Sequence, residues 1–453
     1  MSTTDAPADR PAAGRPPAGS AERCPGCRSA LAVNERFPTW CPSCEWNLLP
    51  PEPAPTNRTP RQQRAAERAE RREEAARRDV RERSEQVFNL VSAGGSDLRD
   101  GSTTAAFALA GVVHLVSLTV LLLGLGLVTG LLLPGWPGRL LGVIALAVAF
   151  QLRPRLGRPS RDGVLDRTAA PALYALVDRI SEELGAPKVD SIAVDGEWNA
   201  SFAVLGLRRH RQLTVGLPLW TALAPQQRVA VLAHEIGRCV NGDRRRSLWN
   251  GSALGALVEW YRMTVPSPTR TQRGLIGVLV VLAELVANRV LWVLNRAVHG
   301  LTLLMNRLWM RAGQAAEYRA DLLAVRLTSV ADTRGALTAL LHRQTFETVL
   351  NRQRTVPPRR TGSGRDATPD LWQSLAEAVR TVPPLETERR LRAAARLAEA
   401  VDSTHPPTDL RLRMLTAAEP EQHRHPVVLD SGRAALIEAE LAARRERIAV
   451  DLL

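Results

Sequence analysis

The chain has 453 residues, too many for one ordinary domain, and its hydrophobic fraction of 45% excludes a mostly disordered protein. Its formal charge of +14 first suggests a nucleic-acid partner. However, Lys188 is the only lysine, and a chain this rich in arginine, alanine and leucine is typical of coding bias in a GC-rich genome. Aromatic residues make up only 4% of the chain, which argues against base-stacking surfaces. The charge therefore identifies no partner, and nucleic acid is not expected to be one.

Four of the five cysteines form two close pairs near the start of the chain. The sequence reads C-P-G-C, then thirteen residues, then C-P-S-C, which is typical of two knuckles holding one tetrahedral Zn²⁺. The start lacks a basic segment followed by an apolar one, so no cleaved signal peptide is predicted and zinc is favoured over disulfides. A structural zinc ribbon is therefore predicted over residues 23–49, with the ligands Cys24, Cys27, Cys41 and Cys44.

The segments around the ribbon are polar. Residues 1–22 are rich in proline, alanine and arginine and are predicted to be disordered. Residues 50–104 are predicted to form a linker and a charged helix, because acid–base pairs such as Glu73 and Arg77 recur four positions apart. That helix has almost no apolar stripe, which predicts a solvated spacer.

Two uncharged stretches predict a transmembrane helical hairpin over residues 105–152. The first, Ala105 to Leu133, has 29 residues without a charge, whereas about 20 suffice to cross a hydrocarbon core. The second, Leu140 to Leu152, is short but is flanked by arginines that can reach the interface. For this second stretch a buried core helix is the alternative.

The distribution of arginine predicts how the hairpin is oriented. Arginines crowd both of its flanks, and only Arg139 lies between the two stretches. The positive-inside rule therefore predicts a multi-pass plasma-membrane protein whose ribbon and remaining domains face the cytoplasm. A further apolar stretch, 274–294, is interrupted by charges and is predicted to be a buried or membrane-associated helix, with a third span as the alternative.

The segment that carries chemistry is 223–243, where apolar residues recur at helical spacing and predict an amphipathic helix. It contains His234-Glu235-Ile236-Gly237-Arg238. In the metalloprotease pattern His-Glu-x-x-His, both histidines project from one helix face and share a Zn²⁺, and the glutamate deprotonates the bound water. Because Arg238 stands at the fifth position, this motif is incomplete by itself.

Two carboxylates further along the chain suit a second ligand helix. Glu317 and Asp321 lie four residues apart and hence on one helix face. A glutamate ligand followed one turn later by an aspartate that orients the first histidine is what such a helix needs.

Two other segments flank these helices. Residues 195–202 and 210–218 predict a β-hairpin whose second strand, about 212–215, is expected to be an exposed edge that binds extended peptide. Downstream lies Ser403-Thr-His-Pro-Pro407, a segment in which two prolines interrupt regular secondary structure, and Arg411 follows it.

Taken in order, these motifs resemble the HtpX-like and CAAX prenyl endopeptidase family of membrane zinc metallopeptidases (gluzincins), over about residues 171–415. The shared motifs are Asn-Ala-x-Phe, the His-Glu-x-Gly helix, Glu-Tyr-x-Ala-Asp and Thr-His-Pro-Pro. The resemblance implies a mainly α protein, in which a zincin-like α+β peptidase domain with a small β-sheet follows the transmembrane hairpin. It also implies cleavage of membrane-associated or misfolded polypeptides.

The resemblance assigns roles to individual residues. It implies that His234 and Glu317 are zinc ligands, that Glu235 is the catalytic base and that Asp321 assists catalysis by orienting His234. It further implies that the Asn199–Ala200 segment binds substrate.

The resemblance also divides the remainder of the chain. It implies a metallopeptidase-like core over residues 160–345. A loop is then predicted over 346–370, followed by a C-terminal helical part, 371–453, that includes the His-Pro-Pro segment.

Arg238 departs from the family pattern, since a guanidinium keeps its proton at neutral pH and cannot ligate zinc. Three outcomes follow. The site is metal-free and Arg238 pairs with Glu317; or another side chain, His405 before Cys239, replaces the lost ligand; or zinc binds weakly through His234 and Glu317 with waters.

The expected function is that of a membrane-bound zinc metalloendopeptidase, with one structural and one catalytic Zn²⁺. One alternative is a catalytically inactive pseudopeptidase that acts as a membrane scaffold or regulator. Another is a zinc-ribbon adaptor that binds proteins or nucleic acid at the membrane. The expected partners are the membrane and polypeptide substrates or partner proteins.

Overall fold

A computed structural model describes most of the chain, namely residues 23–50, 59–94, 101–154, 157–241, 244–266, 275–355, 370–397, 405–417 and 426–453. The predicted disordered segment 1–22 lies outside the described residues, as do linker residues 51–58 and positions 401–404 before His405.

The ribbon is built from two matching turns with little other secondary structure. The amide of Arg28 donates to the carbonyl of Cys24 at 2.8 Å, and the amide of Glu45 donates to the carbonyl of Cys41 at 2.9 Å. Each turn therefore carries one cysteine pair and forms one knuckle, in the arrangement that the spacing predicts.

Within the segment predicted as linker and charged helix, the structure contains α1, Pro60–Ser92. Thr59 begins it with a capping box to Gln62. Its last turns are not solvated, because Val87 and Phe88 are buried in a cluster with Tyr318. The helix is therefore a spacer only in its first part.

Two apolar helices follow, α2 (Gly101–Val128) and α3 (Trp136–Leu152). They pack closely against one another, and a Cβ on Gly142 would lie 2.6 Å from the backbone nitrogen of Val128. By length and composition, Thr103–Val128 is the one helix of the described residues that could cross a membrane, and Trp136–Leu152 is shorter.

The sheet contains four strands: β1 (Val164–Leu165), β2 (Ser191–Asp195), β3 (Ala200–Leu205) and β4 (His210–Gly216). Their order is β1-β2-β4-β3, with β2 parallel to β4 and the other pairs antiparallel. The expectation that residues 212–215 form an exposed edge was wrong, because β2 covers that side of β4. The edge strands of the sheet are β1 and β3.

Helices surround this sheet on the remaining sides. They are α4 (Pro171–Glu183), α5 (Leu217–Ala222), α6 (Pro225–Asn241), α9 (Val330–Leu340), α10 (Arg343–Thr355), α11 (Leu371–Arg380) and α14 (Ser431–Leu452). Their apolar faces form one large hydrophobic core with β2 and β4. This core holds α6 rigidly beside the sheet.

The loop predicted over 346–370 begins later than expected. Helix α10 continues to Thr355, and residues 356–369 lie outside the described residues. Phe346 and Leu350 are one helical turn apart and are buried in the main core. Their burial favours a helix in a sequence that is otherwise strongly polar.

Two long helices connect the apolar region with the core. Helix α7 (Arg244–Met263) and the first part of α8 (Leu275–Leu327) share a cluster with α2 that includes Val113, Leu257 and Val298. The apolar stretch predicted over 274–294 lies in this first part of α8, from residue 275 onward. The last part of α8 packs in the main hydrophobic core through Ala324 and Leu327.

Candidate active site

Helix α6 carries the first three residues of the site. Val229, Leu232 and Ile236 are almost completely buried and hold one face of the helix against the core. His234 projects toward α8 and Glu235 toward strand β3, and both side chains are buried. The amphipathic pattern of the sequence thus fixes the direction of these two side chains.

Helix α8 brings two carboxylates to the same place. Glu317 and Asp321 are 1% and 0% exposed, respectively. The two helices approach closely because residue 237 is glycine: a Cβ there would lie 3.2 Å from Leu323 and 3.6 Å from the Cα of Ala320. A larger residue at position 237 would separate the two sets of functional groups.

His234 is held between the two carboxylates of α8. Its Nδ1 lies 2.8 Å from Oδ1 of Asp321, and its Nε2 lies 3.1 Å from Oε2 of Glu317. Burial and the charge of Arg411 act to lower the pKa of His234, but the two carboxylates outweigh them and raise it to about 9. At neutral pH this imidazole is therefore charged and donates to both carboxylates.

Glu317 is ionised despite its burial. Burial acts to raise the pKa of Glu317, but the hydrogen bond from His234 and the charges of Arg238 and Arg411 lower it to about 2. Glu317 and Asp321 thus face three cationic side chains, those of His234, Arg238 and Arg411.

Arg238 occupies the position where the metalloprotease pattern has its second histidine. Its Nε donates to Oε1 of Glu317 at 2.6 Å, and its Nη1 lies 3.4 Å from Oε2 of Glu235. One guanidinium therefore contacts both glutamates, Glu317, which the family pattern assigns as a metal ligand, and Glu235, which it assigns as the base.

Arg411, which follows the His-Pro-Pro segment in the sequence, also belongs to the site. It lies on α13 (Thr408–Ala417), where its Nε and Nη2 donate to Asp321 at 2.9 and 2.7 Å. Its Nη2 is 3.3 Å from Nδ1 of His234, which already donates to the same carboxylate. Asp321 therefore holds two cations, and its pKa is well below the ordinary value.

His405 lies at the edge of this cluster. Its Nε2 is 3.5 Å from Oε2 of Glu317, and its side chain is mostly buried. The proline-rich segment thus does bring His405 to the glutamate. The other candidate, Cys239, is buried on the same helix as His234.

The ribbon and the peptidase site differ in how well they suit zinc. The Sγ atoms of Cys24, Cys27, Cys41 and Cys44 lie within 4.8 Å of one another, close to the separation of about 3.8 Å for sulfurs around a tetrahedral zinc with Zn–S bonds of about 2.3 Å. Of the residues that the structure describes, only these four form a group of ligand atoms near enough to share an ion. The second site lacks the second histidine of the metalloprotease pattern, and the guanidinium of Arg238 already binds Oε1 of Glu317 there.

A cavity of ≈ 590 Å³ opens beside His234 and Glu235. Trp198, Asn199 and Ala200 line it at the start of the edge strand β3. The backbone amide of Phe202 donates to Oε2 of Glu235 at 3.2 Å, so β3 runs directly past this glutamate. Asn199 and Ala200, which the sequence suggested for substrate binding, are thus part of the cavity wall.

A second wall of the cavity contains a buried ionic cluster on α12 (Pro384–Leu397). Glu386 accepts hydrogen bonds from Arg389 and Arg390. Arg390 also donates to Nδ1 of His342 at 3.2 Å, which requires a neutral imidazole. Burial and the positive charge of Arg390 lower the pKa of His342 to about 4.

We expect His342 to make the stability of the protein depend on pH. The unfolded chain takes up this proton near the ordinary pKa of about 6.5, whereas the folded chain does so only near 4. The neutral imidazole therefore contributes to the free energy of unfolding above about pH 6.5, and this contribution is lost as the pH falls from about 6.5 to about 4. In His342→Gln, the midpoint temperature of thermal unfolding should vary less with pH over this range than it does in the wild type. His299→Gln is the control. A variant as sensitive to acid as the wild type would contradict the assignment.

The fold and site together define a protein of metallopeptidase type, in which a histidine–glutamate helix and a carboxylate helix meet beside an edge strand. The chain belongs to peptidase family M48, whose family model matches residues 168–419. The matched region begins just before α4 and includes α6, α8 and α13. Comparison with curated proteins and with solved structures gives no significant match.

Proposed function

We propose that this chain is a membrane-attached, HtpX-like member of family M48 whose peptidase site is metal-free and binds polypeptide segments without hydrolysing them. One observation carries the proposal: Nε of Arg238 lies 2.6 Å from Oε1 of Glu317. A zinc ion bound to this glutamate would have to compete with a fixed positive charge.

The charges of the site support this proposal. Burying a carboxylate such as Glu317 without a partner costs several kcal/mol, on the order of 3–5. Arg238 supplies that partner permanently, in the position where the family pattern has a metal ligand. The site therefore keeps its buried carboxylates without needing an ion.

Polypeptide binding is supported by the edge strand. Strand β3 is an edge strand paired only with β4, and its first residue, Ala200, lines the cavity. An extended segment can add to such an edge through main-chain hydrogen bonds, while its side chains enter the cavity. Binding of this kind requires neither Glu235 as a base nor a bound metal.

A second candidate function is zinc-dependent peptide hydrolysis with His405 as the replacement ligand. The separation of 3.5 Å between Nε2 of His405 and Oε2 of Glu317 favours it. In that case Arg238 would have to release Glu317 when the metal enters.

Zinc content distinguishes the two candidates. We expect about one zinc per chain in detergent-purified protein and none after all four ribbon cysteines are changed to serine, since the ribbon provides the one tetrahedral thiolate site. Elemental analysis of both proteins measures this directly. About two ions in the wild type and one in the serine variant would overturn the metal-free proposal, and His405→Ala would then identify the ligand.

Membrane attachment through α2 and α3 is a further part of the proposal. Many apolar side chains on these helices are exposed, including Leu122, Leu141 and Phe150. Exposed apolar surface of this extent is suited to lipid. We propose a multi-pass plasma-membrane hairpin with the ribbon and the peptidase domain on the cytoplasmic side. Protease added outside intact cells should leave both domains uncut, and their digestion would contradict this orientation.

A further inference from the structure

The ribbon lies against helix α12 of its own chain. Trp40 and Leu48 are 2% and 1% exposed, and they form one hydrophobic cluster with Ala393 and Leu385 of α12. A ribbon this small cannot bury two large side chains by itself. The helix therefore supplies a large part of the apolar surface that covers them.

Polar contacts fix the ribbon in one orientation on α12. Nη1 of Arg389 donates to the carbonyl of Leu48 at 2.9 Å, and Nη1 of Arg392 donates to the carbonyl of Pro42 at 2.7 Å. The side chain of Arg389 is only 8% exposed. If the ribbon left, this buried guanidinium would lose an acceptor that the helix does not replace.

Charge complementarity adds to these contacts at the edge of the interface. Glu45 of the ribbon lies between two arginines of α12, 3.8 Å from Nη1 of Arg392 and 3.6 Å from Nη1 of Arg396. Each such exposed pair contributes little by itself. Together, however, they set the position of the second knuckle relative to the helix.

The docked ribbon reaches the cavity of the peptidase site. Leu49 lines it together with Ala394 and Leu397 of α12, on a wall that also contains Arg389 and Arg390. His234, Glu235 and the start of β3 line the same cavity. The end of the ribbon is therefore part of the boundary of the space where a polypeptide is proposed to bind.

We propose that the zinc-loaded ribbon is a wall of the polypeptide-binding cavity, docked on α12 of its own chain, and that loss of its zinc opens the cavity. A four-cysteine ribbon without metal has no stable fold, so Trp40 and Leu48 would leave α12, and Leu49 would leave the cavity wall, when zinc is removed. The nature of the ligand, a polypeptide segment, rests on the proposed function. The docking itself does not.

Thiol labelling of the full-length protein in detergent tests this proposal. Ala200→Cys places a small reporter thiol on β3, and N-ethylmaleimide modification at each cysteine is followed by peptide mass spectrometry. Changing Cys24 and Cys41 to serine in this background removes the ribbon zinc. We expect the reporter to react at least about fivefold faster without zinc, because a local cover has been lost. Leu207→Cys, in an exposed turn, should react equally in both backgrounds.

A second variant separates docking from zinc binding. Glu45→Arg should keep the ribbon zinc but place three positive charges together at the interface, so the reporter should again react faster. Glu35→Arg makes the same charge change at an exposed ribbon position and should leave the rate unchanged.

Equal reporter rates in the zinc-loaded and zinc-free proteins would overturn the inference. A second contrary outcome is that the reporter reacts faster in the serine variant but reacts at the wild-type rate in Glu45→Arg, while Glu45→Arg retains its zinc. That outcome would contradict the docked orientation. Labelling needs no peptide and no catalysis. A failure of the proposed function would therefore appear in the zinc measurement and leave this result unaffected.

Discussion

Replacing Arg238 with histidine is expected to raise the zinc content from about one to about two ions per chain. The new imidazole would project from the same face of α6 as His234, four residues earlier, and Oε1 of Glu317 would be released from the guanidinium that now lies 2.6 Å away. Two histidines and a glutamate are a common catalytic zinc set. Elemental analysis of the purified variant measures the gain.

The same variant should also acquire zinc-dependent proteolysis. Glu235 already lies beside the site, and without Arg238 its Oε2 would be free of the contact at 3.4 Å. Cleavage of an unfolded substrate such as casein should appear in Arg238→His and disappear when Glu235→Gln is added. Arg238→Gln is the matched control, since it removes the guanidinium without adding a ligand. An unchanged zinc content in Arg238→His would contradict the proposal that Arg238 keeps zinc out of the site.

Replacing Arg411 with leucine is expected to destabilise the peptidase domain by about 3–5 kcal/mol, because it leaves the buried carboxylate of Asp321 with one cation fewer. Both groups are almost completely buried, and the guanidinium makes two hydrogen bonds to the carboxylate. The loss should appear as a large drop in the midpoint of thermal unfolding. His234 would also be displaced, since the same carboxylate orients it.

Arg413→Leu is the control for this experiment, because Arg413 is on the same helix but exposed. It lies over the ring of Phe88 at 4.8 Å, a contact worth about 0.5–1 kcal/mol at an exposed position. Comparable losses in the two variants would contradict the view that the Arg411–Asp321 pair holds the site together. Arg411→Lys should recover only part of the stability, since an ammonium cannot form both hydrogen bonds in this geometry.

The sequence predicts those residues of the site that lie close together along the chain, within one helix. His234, Glu235 and Arg238 lie within about one turn of one helix, and Glu317 and Asp321 lie one turn apart on another. The two cysteine pairs are equally local. In each case residue spacing alone determines which side chains share a face or a turn.

The predictions that failed depend on contacts between distant segments. Residues 212–215 were expected to form an edge, but β2 pairs with β4 in parallel, so the edges of the sheet are β1 and β3. Helix α10 has a polar sequence and is stabilised by burying Phe346 and Leu350 in the core. No local pattern states which neighbour will cover a given strand or helix.

Periodicity or spacing along one segment was enough to predict the two cysteine pairs, the apolar helices and the two helices that carry the histidine and the carboxylates. The contacts of Arg238 with Glu317, of Arg411 with Asp321 and of the ribbon with α12 are visible only in the folded chain. The physical reason is that buried charges need partners, and those partners come from segments as far apart as residues 48 and 389.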